Sequence, residues 1–165
     1  MKSVFNIIFY LIIIVLFIKK IPGIYENYKS QNQFAPSVQV RYLSGEEISV
    51  PVAHQKTVVV FWATWCGPCQ VELKRLNQII LDHKIKANQV LAISVQESKE
   101  TVDAFLKNNK FEFLIALDES GQASEAYHVR GTPTVVFINE DSKIAWMTTG
   151  LSPSLEFRVQ HFFVD

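Results

Sequence analysis

The sequence predicts an α/β sandwich built on a central mixed β-sheet, with one membrane-spanning helix ahead of it. Three observations carry this. Apolar, β-branched runs alternate along the chain with segments whose apolar residues recur at helical spacing, the pattern of strands joined by crossover helices. Two late runs, residues 134–138 and 144–149, flank the polar tetrapeptide 139–142 and read as an antiparallel hairpin. Residues 1–21 form an almost unbroken apolar stretch.

That first stretch reads VFNIIFYLIIIVLFI over residues 4–18, with Lys2 before it and Lys19 and Lys20 after it. Extended to Ile21 it gives roughly 18 residues, which at ~1.5 Å each just cover a hydrocarbon core of ~30 Å while the lysines snorkel. No small-x-small cleavage site follows, and no cysteine is placed for lipid attachment. An uncleaved single-pass anchor over residues 1–21 is therefore expected, with residues 22–35, rich in Tyr, Asn, Gln and Ser, as linker and residues 36–165 as the folded domain.

Within the domain, residues 38–43 and 48–50 flank Ser44-Gly45 and predict a small entrance hairpin. Residues 57–63, TVVVFWA, are continuously β-branched or aromatic and predict an interior strand buried on both faces. Leu73, Leu76, Ile79 and Ile80 then recur at helical spacing, so a helix is expected over 67–83. Residues 90–94 predict a strand, and Ser98 caps a helix that carries Val102, Phe105 and Leu106 on one face. A strand over 113–117, a short helix over 122–127 and the closing hairpin follow, and Ser152-Pro153 is expected to start the last helix, with serine as N-cap.

Composition narrows the function. Lysine plus arginine equals aspartate plus glutamate at 16 each, so no basic field exists to gather a nucleic-acid backbone. The only two cysteines, Cys66 and Cys69, lie three positions apart, which leaves a local pair with a chemical use and no long-range disulfide scaffold. In Trp65-Cys66-Gly67-Pro68-Cys69 one thiol sits at the expected helix N-terminus, where the dipole and unpaired N–H groups favour a thiolate, and the second lies a turn inside. Cys66 is the candidate attacking thiol and Cys69 the resolving one. Half a zinc site is the alternative use of a C-x-x-C, but His54, His83, His128 and His161 are scattered at no ligand spacing, so no resident metal is expected.

VVVFWATWCGPCQVEL resembles the active-site strand and helix of the thioredoxin superfamily, and specifically its membrane-anchored, exported TlpA/ResA/DsbE-like branch. The resemblance runs over residues 36–165: Gly131-Thr132-Pro133-Thr134 is similar to the family's cis-proline loop, Gln96-Glu97-Ser98 to its inserted segment and FINEDSKIAWMTTG to its closing hairpin. It implies a thioredoxin-like three-layer sandwich and a thiol-disulfide oxidoreductase needing no cofactor beyond the Cys66–Cys69 disulfide. It also implies a cis Thr132-Pro133 bond facing Cys66, with the backbone of residue 132 pairing with an extended substrate, and Trp65, Gly67, Pro68, Thr132 and Pro133 lining the substrate site. The implied partners are disulfides of exported proteins, among them apocytochrome c, copper-site and misoxidised envelope cysteines, together with a membrane thiol-transporting electron donor. A monomer is the expected state.

Lysine balance alone slightly favours a cytoplasmic domain, since Lys19, Lys20 and Lys29 follow the apolar segment. The resemblance instead places the domain on the outer face of a bacterial inner membrane, towards the periplasm or cell exterior. The sequence departs from ordinary thioredoxin at Val60, where that protein carries a buried aspartate serving the resolving cysteine. Glu72, one helical turn beyond Cys69, and Glu97, similar to an acidic residue of the exported branch, are the replacement acid/base candidates. Each has a plainer alternative, a solvated helix residue for Glu72 and a helix N-terminal charge for Glu97. A peroxidase is disfavoured because no threonine in a Pro-rich loop precedes a cysteine by one turn, and a copper-handling protein of the same fold stays as the alternative function.

Overall fold

The computed structural model describes residues 9–10 and 31–164. The expected anchor and most of the expected linker lie outside the described residues, among which no helix is long and apolar enough to cross a membrane.

Seven strands form one sheet. The entrance hairpin is β1 (Val38–Tyr42) against β2 (Glu47–Val50), antiparallel with Val38 opposite Val50. β3 (Thr57–Trp62), β4 (Val90–Val95) and β5 (Leu114–Asp118) run parallel to one another, whereas β6 (Thr134–Ile138) and β7 (Ile144–Thr149) are antiparallel to their neighbours. The spatial order is β2-β1-β5-β4-β3-β6-β7, so the mixed sheet and the interior place of β3 agree with the sequence reading.

β3 explains why the sheet needs cover on both sides. All six residues are buried, and because side chains alternate across a strand, Val58, Val60 and Trp62 enter one core cluster while Val59 and Phe61 enter the other. The first cluster is covered by α1 (Gly67–Leu81), α2 (Lys99–Leu106) and α4 (Leu155–Val164) through Leu73, Leu76, Val102, Leu155 and Val159. The second is covered by α3 (Gln122–Ala126) with Ala123 and by the adjoining Tyr127. Helix, sheet and helix make the three layers. Each fully buried leucine removed from water contributes about 1.5–3 kcal/mol, so the α1 face alone is a substantial part of the core.

Three boundaries differ from expectation for physical reasons. α1 stops at Leu81 because His83 adopts a left-handed φ of 56° and turns the chain, its N–H donating to the Ile80 carbonyl. The last helix starts at Leu155, two residues after the expected Pro153. Ser152 is held instead by α1, its N–H on Glu72 and its carbonyl on Arg75, which fixes 152–154 as a turn. Finally, Asn32 and Ala35, within the expected linker, donate N–H groups to the Ile144 and Ser142 carbonyls at 2.8 Å each, and Phe34 bridges Lys143. Pairing with the sheet thus begins ahead of residue 36.

Candidate active site

β3 delivers its C-terminal end to the start of α1, and the two cysteines stand at that junction. Cys66 is the N-cap of α1, with φ −85° and ψ 100°, and Pro68 lies in the first turn, where its missing N–H costs nothing. The Cys69 N–H points at Cys66 Sγ at 3.2 Å. No carboxylate occupies the first turn, so nothing there opposes negative charge on Cys66. The two sulfurs are joined in a disulfide, with Cα atoms 5.2 Å apart.

Access separates the two. Cys66 keeps 5 % of its surface and Cys69 none, so only Cys66 offers a sulfur to an outside molecule. Around it Trp65 is 78 % exposed, and Gly67 and Pro68 are exposed. Opposite, the Thr132–Pro133 bond is cis, and the Thr132 carbonyl oxygen lies 3.5 Å from Cys66 Sγ. The Thr132 N–H makes no hydrogen bond among the described residues. The loop is fixed from behind: the Gly150 N–H donates to the Pro133 carbonyl at 2.7 Å, and the Thr134 hydroxyl donates to the Gly131 carbonyl at 2.7 Å. Gly150 has φ +87°, a conformation that suits a residue without Cβ.

The two carboxylates occupy different places. Glu97 is 8 % exposed and accepts three hydrogen bonds, from the Thr64 N–H at 2.9 Å, the Thr64 hydroxyl at 2.5 Å and the Ser94 hydroxyl at 2.6 Å. Thr64 also has its carbonyl taken by the Gln70 side chain at 2.9 Å. Glu97 therefore grips the segment two residues ahead of Cys66, and it does not cap α2, whose N-cap is Ser98. Glu72 is fully buried, which corrects the reading of a solvated helix residue. It falls on the same stripe of α1 as Cys69, Leu73 and Leu76. Burial pushes its carboxyl above the usual range, opposed by the Ser152 N–H at 3.3 Å and by Arg75, 3.8 Å away. Its Oε2 has no hydrogen-bond partner among the described residues. Neither carboxylate hydrogen-bonds a cysteine sulfur in this disulfide form.

Val60 is fully buried and aliphatic, as the sequence required, and all four histidines are exposed. Sequence reasoning missed Thr64, Ser94, Arg75 and Ser152, the residues that hold the two carboxylates. Arg75 lies at i+3 from Glu72 on a helix and was legible in principle. Ser94 lies only three residues before Glu97, whereas Thr64 and Ser152 reach their partners through the fold, and nothing local in the sequence marks them.

Residues 32–147 match the AhpC/TSA family. The chain is 31% identical over 126 residues to sporulation thiol-disulfide oxidoreductase A of Bacillus subtilis, covering 74% of this chain and 76% of that protein. It is 31% identical over 122 residues to thiol-disulfide oxidoreductase ResA of the same organism, covering 73% and 68%. Among solved structures, a putative thiol:disulfide interchange protein DsbE from Chlorobium tepidum superposes with TM-score 0.72 at 26% identity, covering 81% of this chain and 95% of that one. The family match begins at residue 32, whose N–H donates to the Ile144 carbonyl, and both relatives are named thiol-disulfide oxidoreductases. This chain accordingly belongs to the AhpC/TSA family of thioredoxin-like proteins, and within it to the thiol-disulfide oxidoreductases.

Proposed function

We propose that the protein reduces disulfides of exported proteins, with Cys66 as nucleophile and Cys69 as resolving thiol. The observation that carries the role assignment is the difference in access: Cys66 alone reaches the surface, beside exposed Trp65 and the Thr132 backbone. In the reduced enzyme the Cys66 thiolate attacks one sulfur of the substrate disulfide; the Cys66–substrate bond forms, the substrate S–S bond breaks, and the departing thiolate takes a proton. Cys69 then loses its proton and attacks Cys66 Sγ, which releases the second substrate thiolate for protonation and closes the Cys66–Cys69 disulfide. The substrate gains two electrons and two protons, and the enzyme dithiol loses them. A membrane thiol-transporting protein on the same face of the membrane restores the dithiol, which is the partner required by a domain held outside the cytoplasm on its residue 1–21 anchor.

Thr132 supports substrate binding, because its unpaired N–H and its carbonyl beside Cys66 match the edge of an added strand. Glu72 is the acid/base of choice for Cys69: it lies one turn further along the same buried face, and its raised carboxyl can hold a proton nearer neutrality than a solvated glutamate. Glu97 acts by positioning, through its three hydrogen bonds to Thr64 and Ser94.

Cys69→Ala tests the roles and the substrate class together. It is expected to stop the cycle at the mixed disulfide, giving higher-mass bands in non-reducing electrophoresis of expressing cells that collapse on reduction. Exported proteins with paired cysteines should dominate their mass spectra. Cys66→Ala is expected to trap none, and bands from Cys66→Ala alone would reverse the assignment.

A further inference from the structure

At the pole of the sheet opposite the cysteines, a groove of about 610 Å³ lies between α4 and the β6–β7 hairpin. β3 runs from one pole to the other, the five steps between its six residues at ~3.3 Å each setting the groove about 17 Å from the redox end. The groove's apolar floor is Phe137, Trp146, Phe157 and Phe162, of which Trp146 is 41 % and Phe157 71 % exposed. Its charged members are cationic: Arg158 stacks 4.2 Å from the Trp146 ring and Lys56 stands 5.7 Å from the Phe162 ring. No carboxylate lines it, although Glu140 and Asp141 are exposed in the adjoining turn, and neither Lys56 nor Arg158 forms an ion pair among the described residues.

The chain enters the domain beside this groove. Asn32 and Gln33 pair with Ile144, one residue from Ala145 and two from Trp146, both of which line it. Only residues 22–30 separate this point from the apolar segment, and these nine span at most about 32 Å when fully extended. Exposed aromatics interleaved with snorkelling cations are the side chains that partition to a headgroup layer, and a short tether raises their effective concentration there.

We infer that this groove is a bilayer-docking surface that takes anionic phospholipid, seating the domain with Trp146 in the headgroup region and Cys66 pointing away from the membrane. The inference rests on the anchor reading above for its tether. The redox pole then faces soluble disulfides, while reduction by a membrane donor requires the domain to lift or turn.

The test is full-length protein, with Trp65→Phe to remove the other exposed tryptophan, in vesicles of phosphatidylcholine with or without about one-third phosphatidylglycerol, the acyl chains brominated near the headgroup. Flotation reports the anchor separately. The expected result is co-flotation with at least about twofold quenching of tryptophan emission in the anionic vesicles, abolished by adding Trp146→Phe. Lys56→Gln with Arg158→Gln should weaken the quenching severalfold, as should high salt, while these two replacements leave reduction of a soluble peptide disulfide at the level of the Trp65→Phe parent and so certify folding. Co-flotation without Trp146 quenching overturns the docking and leaves the anchor intact, as it would if a second copy or residues 22–30 filled the groove. Equal quenching without phosphatidylglycerol overturns the anionic-lipid assignment. Failure to float with either vesicle overturns both readings.

Discussion

Glu72 combines full burial, an incomplete set of hydrogen bonds and a place on the resolving-cysteine face of α1. Its folded pKa lies above the ordinary 4.5, because desolvation outweighs the Ser152 N–H and Arg75. The folded state therefore binds more protons than the unfolded state between those two values, and stability conferred through this group is present below 4.5 and lost as pH rises through the raised value. The stability of wild type minus that of Glu72→Gln should fall as pH rises through this window, as read by denaturant unfolding at a series of pH values; a difference independent of pH would contradict the raised carboxyl. The same variant should flatten the acid limb of the disulfide-reduction profile if Glu72 serves Cys69. Glu97 is predicted to behave differently. Replacing its charged acceptor by Gln sets an NH₂ group against donors from Thr64 and Ser94, at a cost of about 1–3 kcal/mol. Slower reduction without a cost in stability would assign it a proton-transfer role instead.

At the level of elements, α1 was the most legible part of the chain. Leu73, Leu76, Ile79 and Ile80 carry the helical period, and WCGPC marks its start. Its buried stripe also contains Glu72, and the spacing from Cys69 to Leu73 and Leu76 signalled that position in advance; its charge argued against reading it as core. The strands of the sheet were equally clear, because β3 and β4 are buried on both faces and so read as unbroken apolar runs. What stayed hidden depends on chain-distant partners: Ser152 held by α1, Thr64 joined to Glu97, and residues 32–35 laid along 142–144. Leu76→Ala, on the fully buried side of α1, is predicted to cost about 2–5 kcal/mol through the cavity it leaves. Urea unfolding of the oxidised protein measures it, and a change under 1 kcal/mol would show that α1 contributes little to the core.

The whole molecule has two distinct poles, redox cysteines at one end of β3 and chain entry at the other. That polarity suits a domain held on a membrane tether and presenting its cysteines to soluble partners. An alkaline phosphatase fusion after residue 165 should be active and a cytoplasmic reporter at the same point silent; the reverse would place the domain inside the cell. One thiol attacks and the other resolves, and intact-mass spectrometry of the full chain reads this division of roles directly. Reduced Cys69→Ala mixed with an excess of a peptide disulfide should gain one half-peptide, mapped by digestion to Cys66, and hold it, whereas wild type should pass to the Cys66–Cys69 disulfide with the peptide released. A stable adduct on Cys69 in Cys66→Ala, with none on Cys66 in Cys69→Ala, would reverse the two roles.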